Sequence, residues 1–157
     1  MFAHLHVRSW FSFLAGGSSP EDLVQSAHLA GQQAIALTDV NGVYGAVRFQ
    51  QACRQIGLKP IIGAEITLGD HSLLLLAEDR CGYNNLCQLL TQHHVQDTPL
   101  ILADLRQRHE GLLCLSGGID SKLWHLAHTR HLGEAREWLH DLFEAFGEHL
   151  YVELVNH

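Results

Sequence analysis

The sequence predicts an α/β fold, and more narrowly the N-terminal part of a distorted β/α barrel with mostly parallel strands and covering helices. Three observations predict it. Strand-like and helix-like segments alternate along the chain, the order that strand–helix–strand units require. The strand-like runs are continuously apolar, as in Ala34 to Leu37 and Leu73 to Ala77, which marks strands covered on both faces. Polar residues recur where such runs end, at Arg8, Asp39 and Glu65, and barrel enzymes place their chemistry at strand C-termini. A closed eight-stranded barrel takes about 250 residues, whereas this sequence has 157. The chain therefore reads as one domain over residues 1–157, cut before its barrel closes, with an open α/β sheet as the other arrangement.

Each element follows from a local pattern. Residues 3–8 alternate around Leu5 and Val7 and predict a strand. Ser19 is a candidate N-cap, Pro20 suits the first helical position and Asp22 can complete a capping box. Leu23, Val24, Ala27 and Ala30 then share a helical face that Gly31 ends. Residues 34–38 form a short buried strand. Residues 43–56 predict a helix with Ala46, Phe49, Cys53 and Ile56 on one stripe and Gly57 as its stop.

Residues 59–68 and 72–77 predict two strands joined across Gly69 and Asp70, the one hairpin. Helices are expected over 82–94 and 100–109, and a strand over 112–116 closed by Gly117 and Gly118. Two further helices over 120–128 and 134–146 follow, the second burying Ala135, Trp138, Leu139, Leu142 and Phe146. A last strand is expected over 150–155. The sum is about six strands.

Composition excludes several functions. Apolar residues make up 46% and charged residues 17%, as in a soluble globular protein. The net charge is -7 with only 10 Lys and Arg, so this acidic segment lacks the basic face that duplex DNA binding needs. The longest apolar run, Leu73 to Ala77, is too short to cross a bilayer, and the N-terminus has no signal-peptide pattern. Cys53, Cys81, Cys87 and Cys114 form no CxxC pair, so neither a zinc knuckle nor a disulfide frame is expected, and a reducing cytoplasm fits. Of the thirteen histidines, His93, His94, His125, His128, His131, His140 and His149 read as surface residues on polar helices without a matched partner.

The candidate site lies at the strand ends. His4, His6 and Arg8 alternate and so point to one face. Asp39 ends the next strand and Glu65 the third. Imidazole and carboxylates converging from three strand ends suit zinc, manganese or iron.

The run His6-Val7-Arg8-Ser9-Trp10-Phe11-Ser12-Phe13-Leu14-Ala15-Gly16 resembles the first motif of the polymerase-and-histidinol-phosphatase (PHP) domain. Thr38-Asp39-Val40-Asn41-Gly42-Val43-Tyr44-Gly45 is similar to its second motif, and Ile62-Gly63-Ala64-Glu65 to the next. The runs 72–77, 82–86, 115–118 and 150–154 fit the same template in order, so the resemblance covers essentially the whole chain. It is closest to the amino-terminal part of C-family bacterial DNA polymerases, the alpha subunit of polymerase III and its error-prone relative. Members with an intact site bind up to three metal ions in a cleft at the barrel mouth. Stand-alone members hydrolyse phosphoesters, some polymerase members resemble a proofreading exonuclease, and others keep only the fold.

Against that template the chain has lost ligands. The family carries His where Arg8 stands, Asp where Ala15 stands and His where Val40 stands. Ser72 occupies a position that often carries His, with His71 one residue away on the opposite strand face, and Gly118 stands where related chains often carry Cys. His6 and Glu65 survive as remnant ligands, expected to be unoccupied. Asp39 survives as a neighbour of the lost ligand. A hydrolytic cluster needs bridging ligands that hold its ions about 3.5–4 Å apart. Val40 and Ala15 offer no lone pair, and Arg8 holds a fixed positive charge where a cation would bind. The expectation is that Arg8 replaces the metal electrostatically and pairs with Glu65 or Asp39. The plain alternatives are a hydrogen-bonded barrel-mouth residue for His6 and an ion-pair partner for Glu65. His4 with His6 would be a shifted pair, a register that breaks the match at Ser9 and Ser12.

The resemblance thus implies the N-terminal PHP domain of a bacterial DNA-directed DNA polymerase, a nucleotidyltransferase of replication or of error-prone translesion or repair synthesis. The lost ligands and the helix start at Ser18 to Asp22 favour the error-prone branch. No catalytic residue and no cofactor is expected in this segment, which is expected to be inactive as a phosphoesterase; zinc or manganese is the ion if the remnant site binds one. The implied partners are the polymerase's own palm and thumb domains, accessory polymerase proteins, and DNA through the rest of the parent chain, with no membrane. Two readings compete: a stand-alone metal-dependent phosphoesterase of the PHP family, and an interaction module encoded by itself.

Overall fold

The computed structural model describes residues 2–96 and 99–154. The chain divides into two compact units, Met1–Ala64 and Glu65–His157. Its strands follow in the order β1-β2-β3-β4-β5, with β1 Ala34–Leu37, β2 Lys59–Leu68, β3 His71–Ala77, β4 Leu112–Leu115 and β5 Leu150–Tyr151.

In the first unit, helices α1 (Pro20–Leu29) and α2 (Ala46–Ile56) pack on each other, and α1 also packs on β1. Val24, Ala27, Ile35, Leu37, Phe49, Cys53 and Leu58 form the buried core. β1 pairs with β2 in parallel, from Ala34 opposite Lys59 to Leu37 opposite Ile62. Helix α1 starts as its sequence predicts: Ser19 Oγ accepts from the Asp22 N–H at 3.0 Å. The Asp22 carboxylate takes the Ser19 hydroxyl proton instead of the Ser19 N–H, so only half of a capping box forms. Gly31 at φ +71° lets the Gln32 N–H reach Ala27 O at 3.0 Å, a Schellman end.

Two expectations for this unit need correction. Helix α2 starts at Ala46 rather than 43, because Asn41 (φ 48°) and a turn through Tyr44 and Gly45 precede it. No regular strand forms over residues 3–8. That segment lies beside β1 through Ala36 N–H to His4 O at 2.9 Å and Thr38 N–H to Val7 O at 2.8 Å. The two bonds differ by one residue in register. Between them the Thr38 hydroxyl takes the Val7 N–H at 2.8 Å in place of a main-chain carbonyl, so the even spacing of a parallel ladder is broken.

In the second unit, β3 runs antiparallel to β4, from Leu74 opposite Leu115 to Ala77 opposite Leu112, and β4 runs parallel to β5. Leu73, Leu74, Leu75 and Leu76 are all buried, so both faces of β3 are covered. Helix α3 (Arg80–Val95) packs on β3 and β4, α4 (Leu102–Gln107) and α5 (Lys122–His128) pack on α6 (Leu132–Phe146), and α6 packs on β4 and β5. Helix α3 begins two residues before its expected start because Asp79 caps it, accepting from the Gly82 N–H at 2.8 Å. Its first turn lies so close to residue 111 that a Cβ on Gly82 would come 1.7 Å from Gly111 O. α4 is shorter than 100–109: the Asp104 carboxylate draws in the Ile101 N–H at 2.9 Å, and Arg108 leaves the helical region at φ -131°. α5 starts at Lys122 behind the Ser121 cap, and α6 starts two residues early, at Leu132. β5 is two residues long rather than six; 152–154 are not strand and Val155 lies outside the described residues. The described residues thus hold five strands.

Candidate functional site

A buried polar cluster follows β1. Thr38 and Asp39 are 0% and 1% exposed. A carboxylate that deep needs donors, and three groups supply them. The Ser9 N–H reaches Oδ1 at 2.7 Å. The Ser9 hydroxyl lies 3.0 and 2.8 Å from the two carboxylate oxygens. The Ser12 hydroxyl donates to Oδ1 at 2.6 Å and accepts from the Val40 N–H at 3.1 Å. The shortest of these, at 2.7 and 2.6 Å, are the strong ones.

The loop that brings both serines to Asp39 is closed by its own backbone. Ser12 N–H bonds Ser9 O, and the Ala15 and Gly16 N–H groups both bond Ser12 O, each at 2.9 Å. A Cβ on Gly16 would sit 2.0 Å from Ser9 O, so only glycine permits this turn. Phe13 and Leu14 stand out at its tip, 87% and 92% exposed.

Among the expected site residues, His6, Arg8 and Asp39 belong to the first unit and Glu65 opens the second. His6 and Arg8 are half-buried on the segment beside β1; Glu65 is 4% exposed on β2. Asp39 takes its hydrogen bonds from Ser9 and Ser12. Ala15 is exposed at the loop tip, and Val40 contributes its backbone N–H. The sequence pattern alone assigns Ser9 and Ser12 no role in the site. The available signal was two hydroxyls three residues apart after a polar strand end, with one acidic residue following the next strand.

In the second unit, the Ser116 hydroxyl accepts the Glu153 N–H at 3.1 Å, and the Ser72 N–H donates to Asp120 O at 3.2 Å. Several histidines expected to lack a partner have one. His149 Nδ1 lies 2.9 Å from Glu78 Oε2, His131 Nδ1 lies 2.8 Å from Thr129 Oγ1, and His125 faces His71. Burial pushes the Cys114 thiol up to about 12 and the Cys53 thiol up to about 11, so neither supplies a thiolate for a metal or a nucleophile at neutral pH.

Three of these side chains are not metal donors. Arg8 has only N–H donors, and Ala15 and Val40 have no side-chain lone pair. The Asp39 oxygens already face serine protons. Among the described residues no group of three or more His, Cys, Asp or Glu is placed to hold a metal ion.

Comparison with known proteins places these observations. Residues 4–157 match the PHP domain. The chain is 52% identical over 99 residues to the error-prone DNA polymerase of Symbiobacterium thermophilum, covering 62% of this chain and 9% of that protein. It is 34% identical over 176 residues to the DNA polymerase III subunit alpha of Treponema pallidum, covering 99% of this chain and 15% of that protein. The chain thus spans between 9% and 15% of the length of these two relatives. Its fold is similar to that of a two-domain protein from Bacteroides vulgatus, described as containing a PHP-like metal-dependent phosphoesterase. That likeness has a TM-score of 0.54 at 16% identity, covering 76% of this chain and 36% of the other. At that identity it speaks for the fold alone.

Proposed function

This chain belongs to the PHP domain family, and from that premise we propose that it serves as the N-terminal PHP domain of a bacterial DNA-directed DNA polymerase. Its metal site is degenerate and its role is structural or partner-binding. The relatives are replicative alpha subunits and error-prone polymerases, and the lost ligands favour the error-prone branch. The domain packs against the palm and thumb of its own polypeptide and offers a surface to accessory polymerase proteins. DNA is held by the rest of the parent chain, in the cytoplasm. Among the described residues no helix is long and apolar enough to cross a membrane.

The observation that carries this reading is the set of replaced donors: Arg8, Ala15 and Val40 stand at family ligand positions, and none of them offers a lone pair to a cation. A working cluster needs such donors to hold its ions. Asp39, beside the lost ligand position at Val40, is engaged by the Ser9 and Ser12 hydroxyls. Arg8 adds a permanent positive charge at a family ligand position, which opposes a cation there. His6 and Glu65 are the remnant ligands, and this segment contributes no catalytic group.

The test has two arms. Purified protein is loaded with zinc or manganese, dialysed, and its metal content measured; hydrolysis of a p-nitrophenyl phosphate ester is followed with added manganese. The expected result is no metal whose retention depends on His6 or Glu65, and no turnover above a metal-only blank. Manganese-dependent turnover that disappears in His6→Ala would establish a stand-alone phosphoesterase instead. Primer extension by the full polypeptide carrying this domain tests the polymerase assignment separately.

A further inference from the structure

One imidazole lies where the family resemblance does not place it. β3 begins His71-Ser72, and neighbouring strand residues point to opposite faces. The family ligand position falls on Ser72, so the His71 ring projects from the other side. There it meets His125 of α5: the two ring centroids are 6.0 Å apart with planes tilted by 35°.

The backbone under both rings is fixed. The Ser72 N–H donates to Asp120 O at 3.2 Å, which ties the start of β3 to the residues before α5. Ser121 caps α5 by accepting the Trp124 N–H at 3.1 Å. Gly117, at φ +80°, passes so near β3 that a Cβ on it would come 2.9 Å from Ser72 O. His71 is half-buried and His125 exposed, so the pair opens to solvent. One turn on, the His128 ring stacks on Trp124 at 4.6 Å and 8°, which leaves His71 and His125 as the pair.

The centroid spacing lies within the range that two imidazoles span on one ion. With a metal–nitrogen bond of about 2.0–2.1 Å, an ion sits about 3.2 Å from each ring centre. Two rings on one ion are then about 5.2 Å apart at a tetrahedral angle and about 6.4 Å when opposed. The observed 6.0 Å falls between these limits. Two imidazoles without a carboxylate or thiolate select first-row transition ions over magnesium or calcium, and Cu2+ is bound most tightly of that series.

We infer that His71 and His125 form a two-imidazole site for a divalent transition ion, with water completing the coordination, outside the family's metal cluster. The inference does not depend on the polymerase assignment.

Cu2+ titration of the whole chain at pH 7.5, read by calorimetry and by quenching of tryptophan fluorescence, tests it. The wild type is expected to show one tightest site. His71→Asn and His125→Asn should each weaken that site at least tenfold, and the double variant should be little weaker than either single one. His140→Asn, exposed on α6, should titrate as wild type. Tight binding unchanged in both single variants, or lost in only one of them, overturns the site. If a variant misfolds by circular dichroism, the wild type still decides. At substoichiometric Cu2+ the His71 and His125 ring resonances should broaden before those of every other histidine, and earlier broadening elsewhere refutes the proposal.

Discussion

Changing Asp39 to alanine isolates the claim that a carboxylate, not an ion, holds the first unit's polar end together. The substitution removes the acceptor for the Ser9 N–H at 2.7 Å and for the Ser9 and Ser12 hydroxyls at 2.8 and 2.6 Å. A hydrogen bond to a charged group contributes roughly 1.5–3 kcal/mol net. The hydroxyls can rotate toward other acceptors, and removing the carboxylate also relieves its own desolvation cost. The Ser9 N–H has no such freedom, since Ser9 is fully buried. A loss of about 3–4 kcal/mol is therefore expected. Asp39→Asn keeps one carbonyl oxygen and offers an N–H to a serine hydroxyl, so about 1–2 kcal/mol is expected. Urea unfolding followed by far-UV circular dichroism, in buffer with EDTA, measures both. The midpoint should fall with little change in slope, more for alanine than for asparagine. An alanine variant within about 0.5 kcal/mol of wild type, or a wild type destabilised by EDTA alone, would refute the reasoning.

Two further outcomes follow from the packing. Gly82→Ala places a methyl group 1.7 Å from Gly111 O and strains the Asp79 cap; overpacking of about 1–3 kcal/mol plus a weakened cap outweighs the alanine helix preference, so a net loss of about 2 kcal/mol is expected in thermal or urea unfolding. Thiol titration with Ellman's reagent at pH 8 should modify Cys81 and Cys87 at once and Cys53 and Cys114 only on unfolding. Cys81 is exposed, whereas burial holds Cys53 at about 11 and Cys114 at about 12, leaving almost no thiolate in the folded chain. Four fast thiols would show that the two cores open readily.

Much of the architecture was legible because it rests on near neighbours in the chain. Ser19 with Pro20 starts α1, Gly31 and Gly57 take the left-handed turn that ends a helix, and four successive leucines announce a strand covered on both sides. The segment over residues 3–8 alternates as a strand does and yet forms no regular strand. A hydroxyl 31 residues away competes for its backbone, and no local pattern reports that. The early start of α3 rests on a local signal, an Asp79 cap three residues before Gly82 of the kind that Ser19 makes at α1.

The candidate site divides in the same way. That Arg8, Ala15 and Val40 cannot bind a cation is a property of their side chains, and it can be read without any fold. Which groups satisfy Asp39 is a matter of distance between loops, as is the meeting of His71 with His125. Lone pairs, charges and helix stops belong to single residues or short runs, so the order of residues determines them. Partners across the chain exist only after loop closure has brought them together, so the tertiary structure alone decided them.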